Sequence, residues 1–366
     1  MLDIRSRYAL WLAFALKCSP SAYFKLVEHH GSAREVFYAA ADNALLFEGR
    51  NAEKVRAELR QKAKESYIDS CLNYLEKHDI KTALFDDENY PELLRHIHNP
   101  PPVLFVKGTL KSGIALPLAI IGSRKCTNYG KKMAFSLASE LVGAGACVVS
   151  GLAYGIDAQS AAGALSVEES DYPTIAVLGC GVDIVYPKEN EALYDKIAER
   201  GAVVSEFLPG TKPHPSNFPR RNRIISGMSR GLVVVEAASR SGTSITANYA
   251  LEQGRDVFAV PGRVTDPMSE GTNRMIADGA AKLTLCAADV LEEYGLGAYV
   301  AAARAEKKEE LTGEQKTVYD LLKAGERSFD ELSELTGIPI GTLNSTLTEL
   351  EFSGIIKQSP GRVYEI

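Results

Sequence analysis

The chain has 366 residues, a length for two or three domains, with 45% apolar and 24% charged residues. That balance excludes wholesale disorder, a collagen-like chain and a polytopic membrane protein. Forty-one Lys and Arg against 47 Asp and Glu give a net charge of −6, which excludes a uniformly basic coat for nucleic acid but not a local basic groove.

The first 80 residues read as helices. Apolar residues recur at helical spacing in Tyr8–Leu16, Phe24–Val27, Val36–Ala40 and Tyr67–Leu75. Ala9 to Leu16, behind Arg5 and Arg7, has the outline of a signal peptide. Lys17, Cys18 and Pro20 follow at once, so the run is expected to be a buried helix and the protein cytoplasmic, with no membrane partner. Gly31-Ser32 suits the end of one helix and the start of the next. An ordinary αα-turn and a helix–hairpin–helix both fit there, and the turn itself carries no lysine or arginine.

From about residue 81 the texture changes to short apolar runs: Leu118–Ile121, Cys147–Val149, Ile175–Leu178, Val203–Val204, Leu232–Val235 and Val257–Val260. They are continuous rather than alternating, as in strands buried on both faces, and helical stretches separate them. The expected fold class is α/β, a doubly wound and mostly parallel sheet with ligands at the C-terminal strand ends. Residues 296–310 read as a tether. From 311 to 366, helices Gly313–Ala324, Phe329–Thr336 and Ile340–Phe352 precede a ribbon, Ile355–Gln358 and Val363–Ile366, in the outline of a winged helix.

Three strand ends offer anion chemistry. Gly122-Ser123-Arg124-Lys125 leads toward a helix, Lys131 and Lys132 lie just beyond, and residues 122–132 hold no carboxylate. Backbone N–H groups at a helix start favour an anion, so this is a phosphate site in outline. Lys212 to Arg230 holds Lys212, Arg220, Arg221, Arg223 and Arg230 and no acid. A proline-stiffened loop there, with Asn217 and Phe218, suits a single strand whose phosphates meet guanidinium groups while a base stacks on the ring. Phe218 reads equally as a core anchor, and some of these arginines as internal ion-pair partners. Gly242-Thr243-Ser244 repeats the pattern, with close backbone approach and two hydroxyls. In Ser150–Asp157, the carboxylate reads as a cap rather than a catalyst.

Much familiar catalytic chemistry is missing. The sequence has no G-x-x-x-x-G-K-[ST] and no G-x-S-x-G, and Ile184 stands where a dinucleotide fingerprint after Gly179 needs glycine or alanine. The six cysteines include no C-x-x-C pair, which points to reduced thiols and against structural zinc. No cofactor, metal or catalytic residue is expected.

Taken together, Gly122-Ser123-Arg124, Ser150–Asp157, Gly179-Cys180-Gly181 through Tyr186-Pro187, Asn217–Gly227, Ser241-Gly242-Thr243 and Pro261–Asn273 resemble the DprA/Smf family of DNA-processing proteins. The resemblance implies an extended Rossmann-like domain at 81–295, flanked by a SAM- or helix–hairpin–helix-like domain at 1–80 and a winged helix at 311–366. It also implies a homodimer that binds single-stranded DNA without sequence preference, shields it during natural transformation and helps load RecA recombinase. By motif position, Arg124 and the Arg220–Arg223 loop would hold phosphates and Phe218 would lie against a base; with the clusters read above, the expected strand-binding residues are Gly122, Ser123, Arg124, Lys125, Lys212, Asn217, Phe218, Arg220, Arg221, Arg223, Gly242, Thr243 and Ser244.

Two other classes compete. The loops are similar to those of the lysine-decarboxylase-like nucleotide phosphoribohydrolases, but Ser244, Ile245 and Thr246 stand where those enzymes carry glutamates after Gly-Thr. A transcription regulator reading duplex DNA through the winged helix is opposed by five cations against nine acids from Leu311 to Ile366.

Overall fold

The computed structural model describes residues 4–49, 51–239, 241–296, 311, 313–352 and 355–366. The expected tether lies almost wholly outside them. The chain divides into two compact units, Met1–Tyr294 and Gly295–Ile366.

The first unit opens with five helices: α1 (Ile4–Ala15), α2 (Pro20–His30), α3 (Ala33–Ala41), α4 (Ala52–Lys62) and α5 (Glu65–Lys77). Gly31 ends α2 at φ +89°, and the Ser32 hydroxyl accepts from Glu35 N to start α3. The suspect apolar run is the centre of this bundle. Leu10, Trp11 and Leu12 are fully buried, and Trp11 Nε1 donates to Lys62 O at 2.8 Å.

The sheet contains β1 (Lys81–Leu84), β2 (Val103–Gly108), β3 (Pro117–Ile121), β4 (Cys147–Ser150), β5 (Thr174–Val177), β6 (Ala202–Ser205), β7 (Gly231–Val234), β8 (Asp256–Ala259) and β9 (Lys282–Leu283). Their order is β1-β2-β6-β5-β4-β3-β7-β8-β9. All pairings are parallel except β1 with β2 and β2 with β6. The six apolar runs coincide with β3 to β8. β1 and β2, which the sequence reading did not pick out, add an antiparallel edge.

Between the strands run α6 (Glu92–Arg95), α7 (Asn128–Gly143), α8 (Ile156–Leu165), α9 (Glu191–Arg200), α10 (Asn217–Gly227), α11 (Gly242–Glu252), α12 (Glu270–Ala277) and α13 (Ala287–Glu293). Strand residues alternate between two buried layers. Ile175 and Val177 face a core shared with Ile224, Ile225 and Ala247, while Ala176 packs with Ala161 and Ile197. On β2, Leu104 and Val106 join the first core, whereas Val103 and Phe105 join the core of the N-terminal helices. The order reverses between β3 and β7, so the loops leaving these two strands flank the switch point where open α/β sheets place their ligands.

The second unit has α14 (Gly313–Leu322), α15 (Phe329–Thr336) and α16 (Ile340–Phe352) around Val318, Leu332, Leu343 and Leu347. A three-stranded sheet, β10 (Arg327–Ser328), β12 (Val363–Glu365) and β11 (Lys357–Ser359), completes the winged-helix outline. Among the described residues, no helix is long and apolar enough to cross a membrane.

Candidate nucleic-acid interface

At the C-terminal strand ends, on the β3–β4–β5 side of the switch point, a cleft is lined by Arg124, Gly151, Ala153, Tyr154, Gly179, Tyr186, Pro187, Phe218 and Arg221. Each wall leaves the end of a strand. Arg124 follows β3, Gly151 to Tyr154 follow β4, Gly179 follows β5, and α10 supplies Phe218 and Arg221. The Arg124 guanidinium lies 5.1 Å from the centre of the Phe218 ring, so the first two sequence clusters do meet. Tyr186 stacks on the other partner of that pair, Phe218, at 5.5 Å and 30°.

Two glycines make the cleft possible. Gly155 holds φ +76°, and a Cβ there would run into the carbonyl of Ser123. A Cβ on Gly179 would come within 2.7 Å of the Phe218 ring.

The segment expected as a loop is largely α10. This corrects the reading of its arginines, because a helix sends residues 220 and 223 to one side and 218 and 221 to another. Arg221 is 4% exposed and donates to Gly151 O at 2.7 Å, to Val177 O and to Asn222 Oδ1. Burial lowers its pKa to about 10, against the attraction of Asp157. Asp157 is equally buried and accepts from Gly151 N at 3.0 Å and Ala153 N at 3.4 Å, so it secures the loop after β4. Burial raises its pKa, opposed by the Arg221 charge. Arg223 is buried beside the fully buried Glu206 and forms an ion pair with it. Arg220 reaches the same carboxylate from Nε at 3.1 Å. Arg221 and Arg223 are therefore engaged inside the protein rather than presented on a rim, while Arg220, its side chain 40% exposed, is ion-paired with Glu206.

Arg124 and Lys125 are exposed, and among the described residues neither forms an ion pair. Gly122 sits in the turn itself, packed on Ile156, and the Ser123 hydroxyl accepts from Lys125 N at 3.1 Å. The absence of a local carboxylate proves misleading, since Glu236 reaches across from the end of β7. Fully buried, it accepts from Thr127 N at 2.9 Å and Thr127 Oγ1 at 2.5 Å. Thr127 in turn caps α7 through Gly130 N. A side-chain anion thus already meets the start of α7, and the cations ahead of it are what remains for a ligand.

Lys212 is exposed on the loop before α10, and Asn217 begins that helix. Gly242, Thr243 and Ser244 form the first turn of α11, with Thr243 buried. None of these five lines the cleft, and Lys125 does not either. The sequence reading missed the roles of Tyr154 and Tyr186, which are 41% and 39% exposed. The available signal was an aromatic residue beside glycine or proline in the loop that follows a buried strand.

Comparison with known proteins agrees with this architecture. The family model "DNA recombination-mediator protein A" matches residues 81–295, more than half of the chain, and a DprA winged-helix model matches 302–362. The chain belongs to the DprA/Smf family. It is 37% identical to protein Smf of Escherichia coli over 301 residues, covering 80% of this chain and 79% of that protein. Identity to DNA processing protein DprA of Streptococcus pneumoniae is 43% over 212 residues, 57% of this chain and 72% of that one. The crystal structure of the S. pneumoniae protein superposes with a TM-score of 0.66 at 32% identity, covering 78% of this chain and 97% of the other. A structure concerned with the single-stranded DNA binding mode of DNA processing protein A from Helicobacter pylori gives 0.52 at 28% identity, over 62% and 96%.

Proposed function

We propose that the protein binds single-stranded DNA without sequence preference, as a cytoplasmic homodimer, and passes it to RecA recombinase during natural transformation or recombination. The observation that carries the binding reading is the Arg124–Phe218 pair, an exposed cation 5.1 Å from an aromatic ring at the mouth of a strand-end cleft. A phosphate meets the guanidinium while a base lies against the aromatic wall, and neither contact depends on base identity. Lys125, Lys131, Lys132 and Lys212 are exposed and supply further charge for a backbone entering or leaving the cleft. The related H. pylori protein, which binds single-stranded DNA, supports the same ligand.

The site requirements expected from the sequence contract accordingly. Phosphate contact centres on Arg124 and the exposed lysines, with Phe218, Tyr186 and Tyr154 as the aromatic wall. Arg220, Arg221 and Arg223 shape that wall from behind.

Fluorescence anisotropy with labelled single- and double-stranded oligonucleotides, together with a light-scattering mass, tests the reading. Preference for the single strand and a dimer mass are expected. Equal affinity for duplex would refute it, and release of free base from adenosine monophosphate would restore the phosphoribohydrolase. RecA delivery is tested by the rate of RecA filament formation on single strands covered by a competing binding protein, which should rise when this protein is added.

A further inference from the structure

The N-terminal helices reach the cleft through α10. Arg220 stands at the junction: Nε lies 3.1 Å from Glu206 Oε1, and Nη2 lies 3.2 Å from both Glu206 Oε2 and Cys18 O. Glu206 follows β6 and is fully buried, so this anchor is fixed by the sheet. Cys18 lies in the turn between α1 and α2, where Lys17 and Cys18 both hold positive φ, +51° and +53°. That backbone shape points the Cys18 carbonyl at the guanidinium and is costly for residues other than glycine. The Arg220 plane also lies 5.1 Å over the Phe207 ring. One side chain therefore joins the helical bundle, the end of β6 and the helix that carries Phe218.

A second tie runs parallel. Tyr74 on α5 donates to Asp183 Oδ2 at 2.9 Å, and Asp183 accepts from Gly210 N at 2.8 Å. Gly210 lies two residues before Lys212. Both segments that enter the binding region, the loop before α10 and α10 itself, are thus held from the N-terminal helices.

We propose that Arg220 is a positioning residue for DNA binding, locking α10 to the N-terminal helices through Glu206 and the Cys18 carbonyl so that Phe218 is preset against the cleft. This rests on the single-strand reading above. Phe218 and Arg220 are two apart on α10, so their side chains leave it in different directions. A rotation or slide of the helix that broke the Arg220 bonds would displace the ring from Arg124 and Tyr186. Burial alone does not fix that setting, because Phe218 is only half-buried.

The Arg220 side chain is itself 40% exposed, so the competing role is a direct phosphate contact. A double-mutant cycle separates the two. Single-strand affinity is measured by anisotropy over a salt series for the full chain, Arg220→Met, Phe218→Ala and the double variant. Arg220→Met should weaken binding about three- to tenfold with the salt slope unchanged, and should add less than about twofold in the Phe218→Ala background. Equal losses in both backgrounds, with the slope shallower by about 0.7, would make Arg220 a phosphate ligand and overturn the proposal. Unaltered affinity in Arg220→Met would overturn it as well. Failure of the unmutated chain to bind single strands would instead remove the underlying reading.

Should Arg220→Met not fold, Arg220→Lys serves in the same cycle. It keeps the charge but lacks the planar fork that spans Glu206 and the Cys18 carbonyl together. A smaller loss with the same dependence on Phe218 is expected, and wild-type affinity would refute the strut.

Discussion

Arg221 allows the sharpest test of how this site is built. The residue is 4% exposed, and its guanidinium donates to the carbonyls of Gly151 and Val177 at the ends of β4 and β5. Replacing it by Met keeps the length but strands those carbonyls and leaves buried Asp157 without the larger of its opposing charges, with only Arg124 remaining. Leaving two buried acceptors unsatisfied, at roughly 1–3 kcal/mol each, costs about 3–5 kcal/mol, a large part of the roughly 5–15 kcal/mol that holds a typical protein folded. With a urea m-value near the upper end of the usual range, ~3 kcal/mol/M, the midpoint should fall by about 1–1.7 M. Trp11, the single tryptophan, is buried in the same unit and reports the transition by fluorescence.

The pH dependence carries its own sign. Burial already holds the Asp157 carboxyl above its usual range, and removing Arg221 removes the charge that pulls it back down. A carboxyl raised in the folded state favours folding while protonated, and that contribution disappears as pH rises through the folded value. The variant should therefore lose more stability, relative to the unmutated protein, at pH 8 than at pH 5. An unshifted midpoint combined with a shallower salt dependence of DNA binding would put Arg221 on the surface and refute the reasoning.

Arg124→Ala should weaken single-strand binding to all sequences alike and flatten the slope of log affinity against log salt by about 0.7, measured by anisotropy; a change in base preference would contradict a backbone contact. In native protein a thiol reagent should reach Cys126 and Cys286, which are partly exposed, well before Cys18, Cys71, Cys147 and Cys180, which are buried; burial also pushes the Cys180 thiol up to about 11. Absorbance on release of the reagent gives the two phases, and early modification of Cys147 would count against the packing of β4. In the second unit Ser328 and Glu331 cap α15 reciprocally, so Ser328→Ala should cost about 1 kcal/mol there and lower the melting temperature of that unit in calorimetry.

The parallel sheet was legible because strands covered on both faces are apolar at every position, and β3 to β8 each show such a run. The β1–β2 edge was harder to read: Lys81 and Thr82 blur the first strand, and the second follows three consecutive prolines. Arg124 and Phe218 were recognisable as an exposed cation and a ring, although their proximity belongs to the fold. The burial of Arg221 and Arg223 was not legible because the carboxylates they face, Asp157 on α8 and Glu206 after β6, lie on other elements, and a charge count over a short window cannot see across a sheet. Glu236 escaped for the same reason. Proline at 213, 215 and 219 suggested a loop, but Pro219 falls in the first turn of α10, where its missing N–H costs no hydrogen bond.

The shared core of the N-terminal helices and β2 bears on how this protein can be shortened. The family model begins at residue 81, which makes that boundary an inviting place to cut. Yet Phe14 sits edge-on against Phe105 at 5.5 Å, and Val103, Phe105 and Leu84 are covered by the bundle. A fragment starting at 81 would bare a greasy strip along a sheet margin, the kind of surface that seeds precipitation. The helices ahead of it are, in that sense, a built-in lid for the rest of the fold.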